Sequence, residues 1–458
     1  MGIDATHLVP ADTDTVWKWH SRPGALERLT PPFLPMRPVR QAQSLRGGTT
    51  VFQLPGGLKW VAEHQIDGYV AGEQFVDEAA NRPIRYATGW RHTHRFEEAK
   101  SVDGTAATLV HDSVESRVPE FALRPAFAYR QRQLVQDIEF LRSLPETEPR
   151  VIAVTGASGL VGSHLRAQLS TAGHTVIGLT RGEAGPGERH WDPDNPAADL
   201  LAGVDAVAHL AGESIMGRFT EEKKRKIRDS RVGPTRKLAQ LAADSGVAAF
   251  VSASAVGYYG TDAGDNPHVE SDGPGKGFLA DVCAQWEEAS QVGGLRVVNI
   301  RTGLALSGAG GLLPVLKASV NAGAGAKFGD GDFWMSWVSL DDLTDLYTRA
   351  LLDDIVSGPI NATAPNPVTN AELSAALAEV LHRPDFFSIP AFGPKLLLGA
   401  QGAKELALAD QRAVPARAEE AGWAFRYPTL GAALRHELGK ETLLGFAPGT
   451  VSTGVDSG

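Results

Sequence analysis

The most constraining feature of this sequence is an apolar run that opens into three regularly spaced glycines. Residues 151–155 read VIAVT, and glycines follow at Gly156, Gly159 and Gly162. Glycine lets the backbone turn sharply and lets a following helix pack closely against a strand. The residues up to 179 then show a helical apolar pattern and a second apolar run. We therefore predict a strand–turn–helix–strand unit here.

This turn is typical of dinucleotide binding, because a pyrophosphate lies well against backbone N–H groups at a helix N-terminus. The alternative is a glycine-rich turn that binds nothing, and the complete strand–helix–strand pattern argues against it. The candidate cofactor-binding residues in the turn are Gly156, Ser158, Gly159, Leu160 and Gly162.

The residues after the second apolar run indicate which dinucleotide binds. Sites for NAD place Asp or Glu there, whereas this chain has Thr180, Arg181 and Gly182. A guanidinium can hold the 2′-phosphate of NADP through two hydrogen bonds, and a carboxylate would repel that phosphate. We therefore expect NADP rather than NAD, the alternative being that Arg181 only ends a strand in solvent.

Length, charge and cysteine content limit the class of protein. A chain of 458 residues is expected to form about two or three domains. The 54 acidic and 44 basic residues leave a net charge of −10, which argues against nucleic-acid binding. A single cysteine, Cys283, excludes internal disulfides and fits a reducing cytoplasm. We expect a cytoplasmic protein without membrane insertion, and its oligomeric state is left open.

Composition shifts predict four segments. The stretch 144–150 (LPETEPR) is charged and rich in proline, which is typical of a linker. We therefore expect a first domain over 1–143 and a second over 151–445. The small, polar residues 446–458 are expected to form a disordered tail.

The first domain shows strand patterns followed by one long helix. Residues 90–96 and 108–115 alternate between apolar and polar side chains, and apolar residues recur at helical spacing over 127–141. We expect a curved antiparallel sheet that grips the helix. The stretches 7–32 and 75–96, with that helix, resemble the START-like, polyketide-cyclase-like family. The resemblance implies a helix-grip fold around a cavity for a small apolar ligand.

His92 and His94 are a candidate metal pair. Two histidines at i and i+2 on a strand point to the same side and can share a cation. No carboxylate or third histidine is fixed nearby by the sequence, so we interpret the pair as pocket or surface residues and predict no metal site.

From residue 151 onward, predicted strands and helices alternate. Strands are expected at 204–210, 249–254 and 295–300, and helices at 220–244 and 278–291. This order predicts an α/β fold, a Rossmann-type doubly wound parallel sheet, with a smaller C-terminal lobe beyond residue 305.

Several motifs in this part resemble the extended short-chain dehydrogenase/reductase superfamily. They are TGASGLVG, AHLAG (208–212), SASAVGYYG (252–260), IRTG (300–303) and WMSWVSLDDL (334–343). DSRVGPTRKL (229–238) and NATAPNPVTNAEL (361–373) resemble its nucleotide-sugar-epimerase-like subfamily. The further cofactor-binding residues that this resemblance implies are Leu210, Ala211, Gly212, Arg231 and Ser252.

The chain departs from that superfamily at its acid–base pair. Active members use a Tyr with a Lys four residues later, where the cation lowers the pKa of the phenol. The corresponding positions here are Leu279 and Cys283. Ser254 remains at the place of the active-site hydroxyl, and Tyr258 or Tyr259 is a candidate replacement for the missing acid, the alternative being that both tyrosines pack a loop.

Three further residues are candidates for contact with a small-molecule substrate. Glu213 follows the AHLAG strand, Arg301 follows a core strand, and Trp337 lies in the predicted lid. The alternatives are a capping role for Glu213, a salt bridge for Arg301 and core packing for Trp337. Lys276, in a glycine-rich stretch, is expected to be exposed rather than catalytic.

Two functions remain open from the sequence. One is an NADP-dependent epimerase- or dehydratase-like oxidoreductase with an unusual acid–base set. The other is a non-catalytic NADP-dependent sensor or carrier that is coupled to an apolar ligand in the first domain.

Overall fold

The computed structural model describes residues 2–390 and 392–445. The predicted disordered tail, 446–458, lies outside the described residues. The chain forms two compact units. Over the described residues, the first comprises 2–144, 167–173 and 436–445, and the second comprises 145–166, 174–390 and 392–435.

The first unit contains an antiparallel sheet, seven-stranded within the described residues, in the order β1-β7-β6-β5-β4-β3-β2. Its strands are β1 (Gly2–Val9), β2 (Arg37–Arg40), β3 (Thr49–Gln53), β4 (Lys59–His64), β5 (Gln74–Ala79), β6 (Arg91–Lys100) and β7 (Ala106–Glu115). Its helices are α1 (Thr13–Ser21), α2 (Ala25–Arg28), α3 (Arg82–Thr88) and α4 (Glu120–Arg142), with a 3-10 turn at Pro55–Gly57.

Helix α4 is amphipathic, as predicted from its apolar spacing. Leu134 and Ile138 are buried and belong to the same apolar cluster as Phe75 of β5 and Phe96 of β6. Alternation on β6 is also confirmed, since His92, His94 and Phe96 are buried while the residues between them are not.

The second unit is built on a parallel sheet, and this confirms the predicted fold class. Its strand order is β10-β9-β8-β11-β12-β13-β19, and every neighbouring pair in that order is parallel. These strands are β8 (Val151–Thr155), β9 (Thr175–Thr180), β10 (Glu188–His190), β11 (Ala206–His209), β12 (Ala249–Ala255), β13 (Arg296–Thr302) and β19 (Gly358–Ala362). Short strands are β14 (Leu304–Ser307), β15 (Gly310–Gly311), β16 (Lys327–Phe328), β17 (Trp334–Met335), β18 (Trp337–Ser339), β20 (Val368–Thr369) and β21 (Ser388–Ile389).

Ten helices are described after residue 151, and α5 and α14 each have residues in both units. They are α5 (Leu160–Ala172), α6 (Glu221–Asp229), α7 (Val232–Asp244), α8 (Phe278–Ser290), α9 (Leu313–Asn321), α10 (Leu340–Leu352), α11 (Asn370–Leu381), α12 (Phe392–Gly402), α13 (Ala416–Glu420) and α14 (Leu430–Glu437). A 3-10 turn covers Val256–Tyr259, and a π-turn covers Ala403–Ala407. No helix of the described residues is long and apolar enough to span a bilayer.

The helix predicted over 220–244 is two helices, and the sequence-based expectation was wrong on this point. Helix α6 ends before Ser230, whose hydroxyl accepts a hydrogen bond from the N–H of Glu213 at 3.0 Å and donates one to the carbonyl of Ile227 at 3.0 Å. The side chain of Ser230 thus bonds the backbone at the break, and competition of this kind weakens a helix interior.

A buried hydrogen-bond chain joins β8 to β11. Thr155 Oγ1 accepts hydrogen bonds from the N–H groups of Leu210 and Ala211, at 3.0 and 3.1 Å. Its single proton is therefore directed to Nδ1 of His209, which lies 2.8 Å away. The proton of the His209 ring consequently resides on Nε2.

The chain continues into α7 and α8. His209 Nε2 donates to Thr235 Oγ1 at 2.9 Å, and the indole N–H of Trp286 donates to the same oxygen at 2.9 Å. Burial, with a smaller effect of the nearby Arg231 guanidinium, lowers the pKa of His209 to about 3. The imidazole is therefore neutral, as these bonds require.

The pKa of His209 predicts a loss of stability in mild acid. The unfolded state takes up a proton below its pKa of about 6.5, but the native ring does not do so until about 3, so the free energy of unfolding falls as pH drops through this window. From pH 6.5 to 5 this amounts to about 2 kcal/mol. Hydrogen exchange of the β8 and β11 amides at both pH values measures it, and the His209→Gln variant should show a smaller change. An equal change in both proteins would contradict the assignment.

Candidate cofactor site and catalytic cleft

The glycine turn between β8 and α5 brings backbone segments close together. Gly156 has φ +65°, and a Cβ there would lie 3.0 Å from the carbonyl carbon of Leu210. At Gly162 a Cβ would lie 2.2 Å from the carbonyl oxygen of Gly156, so no larger residue fits. Ser158 and Gly159 are exposed. The turn therefore presents backbone at the first turn of α5, where N–H groups lack helical partners.

Two other predicted cofactor residues meet beside this turn. A Cβ on Gly212 would lie 3.0 Å from Cζ of Arg231, so the guanidinium covers this glycine. Arg231 Nη1 donates to the carbonyl of Ile227 at 3.1 Å, and Cζ lies 5.0 Å from the centroid of the Trp286 ring. Burial lowers the pKa of Arg231. Within the described residues the guanidinium has no carboxylate in ion-pair contact, which leaves it suited to an anionic group.

The end of β9 carries an exposed cation. Thr180 Oγ1 accepts a weak hydrogen bond from the N–H of Gly182 at 3.3 Å, and Arg181 is exposed. In the described part of the chain, Arg181 makes no hydrogen bond or ion pair. Glu213 pairs with Lys223 rather than with Arg181, at 2.8 Å between Oε1 and Nζ. This hydrogen bond is the main reason that the pKa of Glu213 is lowered.

Three polar residues form one row across the carboxyl ends of neighbouring strands. The register pairs Ser254 of β12 with Arg301 of β13, and Arg301 with Asn361 of β19. Glu287 of α8 joins the row, since its Oε1 accepts the hydroxyl of Ser254 at 2.6 Å. Both carboxylate oxygens of Glu287 accept N–H groups of Arg301, each at 2.9 Å.

The Arg301–Glu287 pair is buried and bidentate. Burial alone lowers the pKa of Arg301, but the hydrogen bonds and charge of Glu287 outweigh it and hold that pKa above its usual value. Of the two roles considered for Arg301, the structure shows the salt bridge.

The two candidate tyrosines have different surroundings. The hydroxyl of Tyr259 accepts from Arg301 Nη1 at 2.9 Å and has Asn361 Oδ1 at 2.8 Å as an acceptor. Burial raises the pKa of Tyr259 to about 12, so it is a poor base near neutral pH. Tyr258 is partly exposed, and its ring lies 3.6 Å from Cζ of Arg301. The hydroxyl of Tyr259 is held by hydrogen bonds to Arg301 and Asn361. Only Tyr258 can therefore present its hydroxyl to a ligand without breaking those bonds.

The positions of the usual Tyr and Lys hold groups that cannot replace them. Leu279 is apolar, and its N–H is capped by Oε2 of Glu405 at 2.8 Å. Cys283 is buried, which raises the pKa of its thiol to about 12, so it carries no charge. Lys276 is exposed, as expected.

Two of the proposed site residues lie inside the fold. Trp337 is 0% exposed, and its indole N–H donates to the carbonyl of Asn366 at 2.9 Å. Ser252 is also 0% exposed, in register with His209 on the neighbouring strand. Both placements are those of packing residues.

Sequence reasoning missed Glu287 and Asn361 as members of this polar network. Glu287 lies in the helix predicted over 278–291, and Asn361 was named only as the first residue of the motif NATAPNPVTNAEL. A buried arginine needs a carboxylate partner. This requirement at Arg301 was the signal from which a partner such as Glu287 could have been expected.

The first unit contains a cavity of about 340 Å³. Among its lining residues are Leu29, Phe52, Phe75 and Phe127, together with the histidines of β6. No carboxylate near His92 and His94 could be identified from the sequence, but the structure places two there. Asp77 and Asp112, 17 and 20 residues from their partners in the chain, contact these rings, because β5 and β7 flank β6 in the sheet.

A parallel sheet with a glycine turn after its first strand and a polar row at its carboxyl ends defines a Rossmann-type α/β protein. Residues 152–361 match the model of the NAD dependent epimerase/dehydratase family, and residues 389–437 match a domain of unknown function, DUF1731. The Epimerase family protein Mb2239 of Mycobacterium bovis is 42% identical over 291 residues, covering 62% of this chain and 96% of that protein. The chain belongs to the epimerase/dehydratase family.

Solved structures agree with this assignment. A nucleoside-diphosphate sugar epimerase from Corynebacterium glutamicum is 48% identical, with a TM-score of 0.85 over 96% of this chain and 91% of that chain. The human epimerase family protein SDR39U1, solved with NADPH, is 28% identical, with a TM-score of 0.57 over 63% of this chain and 99% of that chain.

Proposed function

We propose that this protein binds NADP(H) and acts as an epimerase- or dehydratase-like oxidoreductase on a small carbonyl or nucleotide-sugar substrate. The observation that carries the proposal is the backbone turn at Gly156–Gly162, where Gly156 and Gly162 leave no room for a Cβ beside an exposed helix start. Support for the phosphorylated cofactor comes from Arg181, an exposed guanidinium at the end of β9. The relative SDR39U1, solved with NADPH, supports the same choice.

The residues present fit this cofactor. The backbone of the turn would hold the pyrophosphate, Arg181 the 2′-phosphate, and Arg231 a further anionic or polar group near Gly212. When bound, the nicotinamide supplies hydride transfer.

The proton that accompanies hydride transfer has a route through Ser254 and Glu287. The hydroxyl proton of Ser254 is donated to Glu287 Oε1 at 2.6 Å, so a lone pair of Oγ can accept the hydroxyl proton of a substrate. As that proton arrives at Oγ, the serine proton passes to the carboxylate. Arg301 holds the carboxylate in place by its two hydrogen bonds. This serine–glutamate pair takes the place of the missing Tyr and Lys.

Charge reversal at Arg181 tests the cofactor. Arg181→Glu places a carboxylate beside the 2′-phosphate, so the Kd for NADPH should rise at least about tenfold, and the Kd for NADH should change much less. Isothermal titration calorimetry measures both. Arg236→Glu, at another exposed arginine, is the matched control and should leave both values unchanged. An unchanged Kd for NADPH in Arg181→Glu would remove this residue from the site.

Substitutions of the serine–glutamate pair test catalysis. Ser254→Ala and Glu287→Gln should each lower kcat by about a hundredfold or more, because the proton then has no acceptor, while the Kd for NADPH is retained. Turnover of NADP(H) with a panel of carbonyl compounds and nucleotide sugars is the measurement, and near-ultraviolet circular dichroism checks the fold. The control is Ser245→Ala, at an exposed serine that ends α7.

The same measurement decides between the two functions left open by the sequence. Retained kcat in Ser254→Ala would exclude the proposed route. Saturable NADPH binding by the wild-type protein without turnover of any panel member would favour the non-catalytic sensor or carrier. The single cysteine and its buried thiol support a cytoplasmic location.

For the first unit, we propose a START-like domain that binds a small apolar ligand. An antiparallel sheet with a 23-residue helix is the arrangement expected of a helix-grip fold, and the cavity of about 340 Å³ lies within this unit. Its size falls in the range of small-molecule sites.

Filling this cavity tests the ligand proposal. Ala126 of α4 lines the cavity, so Ala126→Phe should lower the affinity for the amphiphilic dye 1-anilinonaphthalene-8-sulfonate by about tenfold or more through lost volume. Fluorescence titration measures the affinity. Ala87→Phe, on the exposed side of α3, is the control and should bind the dye as the wild type does. Equal affinity in both variants would place the dye elsewhere.

A further inference from the structure

Two histidines and two aspartates meet on the sheet face of the first unit that lines the cavity. The register places Asp77 of β5 opposite His92 of β6, and His94 of β6 opposite Asp112 of β7. Because residues at i and i+2 of a strand share a face, all four side chains are directed to one side. Asp77, His92 and His94 contribute to the cavity wall.

The atoms nearest to Asp77 have the spacing of a metal coordination sphere. Asp77 Oδ2 lies 3.3 Å from His94 Nε2 and 3.6 Å from His92 Nδ1. One ligand atom from each of these three residues lies within 4.8 Å of the others. Zinc with bonds of about 2.0–2.1 Å in tetrahedral geometry separates its ligands by about 3.3–3.4 Å. A small contraction would bring the three atoms onto one ion.

Neighbouring groups orient these ligands from behind. Asp112 Oδ1 accepts a hydrogen bond from His92 Nε2 at 2.8 Å, which leaves the lone pair of His92 on Nδ1, facing Asp77. Trp90 donates its indole N–H to the other oxygen of Asp77 at 3.1 Å. A carboxylate behind a ligating imidazole is the usual outer shell of a metal site.

The far nitrogen of His94 is an unpartnered group. His94 is only 4% exposed, and its Nδ1 lies 3.1 Å from Asp112 Oδ1 without a hydrogen bond of suitable geometry. A small rotation of the ring would give Nδ1 the same carboxylate that His92 uses and would leave Nε2 free to coordinate.

The charges at the cluster call for a cation. Two aspartates face these rings in a buried environment. Such a set is expensive without a compensating positive charge at its centre.

We propose that Asp77, His92 and His94 bind a divalent cation of borderline hardness, such as zinc, at the wall of the cavity. Two imidazoles and one carboxylate are a donor set that zinc uses in sites with an open position. The open position faces the cavity, where it would bind an oxygen donor of the apolar ligand. A bound metal thus adds a polar anchor to an apolar pocket, and this site does not depend on cofactor binding by the second unit.

The competing cation is a proton on His94. Asp77 Oδ2 lies 3.3 Å from His94 Nε2, and Asp112 Oδ1 lies 3.1 Å from His94 Nδ1, so two carboxylates flank this ring. A protonated ring would occupy the same position between the two carboxylates, so a metal would have to displace this proton.

Zinc titration of the full chain distinguishes the two cations. Protein treated with a chelator and dialysed should bind about one equivalent of Zn²⁺ by isothermal titration calorimetry, and Co²⁺ should give the visible absorption of a four-coordinate site. His94→Gln and Asp77→Asn should each weaken Zn²⁺ binding at least tenfold, and Asp112→Asn should weaken it about 10- to 100-fold as an outer-shell partner.

His64→Gln is the matched control, since His64 also lines the cavity but is not one of the three proposed ligands. It should bind Zn²⁺ as the wild type does. Absence of Zn²⁺ binding by folded wild-type protein, or binding that is unchanged in both His94→Gln and Asp77→Asn, would overturn the proposal in favour of the proton. Circular dichroism of each variant confirms that a loss of binding is not a loss of fold.

Discussion

The second unit depends on one backbone contact, the approach of the turn after β8 to the start of α5 and to the end of β11. Gly156 and Gly162 bring carbonyl groups within distances at which no Cβ fits. Thr155 fixes the other side of this contact by accepting the N–H groups of Leu210 and Ala211. The exposed helix start and the position of Gly212 under Arg231 both follow from this geometry.

At the carboxyl ends of the strands of the same sheet, polar side chains form one connected hydrogen-bond network. Ser254, Arg301 and Asn361 occupy one register row, and Glu287 neutralises the arginine from α8. Removing one partner of such a buried pair typically costs about 3–5 kcal/mol, because the other charge is left without compensation. The network therefore has two consequences. It holds the carboxyl ends of three strands together, and it keeps a carboxylate next to a serine hydroxyl where the family's usual acid–base pair is missing.

The first unit shows the same principle in a different setting. Its cavity is mostly apolar, yet Asp77, His92 and His94 contribute to its wall, and Asp112 contacts both histidines. Packing alone would favour apolar residues there, since buried charges cost free energy unless they are paired. A buried polar cluster at such a place is a candidate for binding.

The sequence by itself determined the parallel sheet, the glycine turn and the loss of the Tyr and Lys pair, because these depend on local spacing and on residue identity at Leu279 and Cys283. Periodicity also predicted α4 and the inward face of β6. Only the tertiary structure decided which distant side chains meet. Glu287 reaches Arg301 through the packing of α8 on the sheet, and Asp77 and Asp112 reach the histidines through strand pairing. Such contacts depend on register and helix docking, which local patterns do not encode.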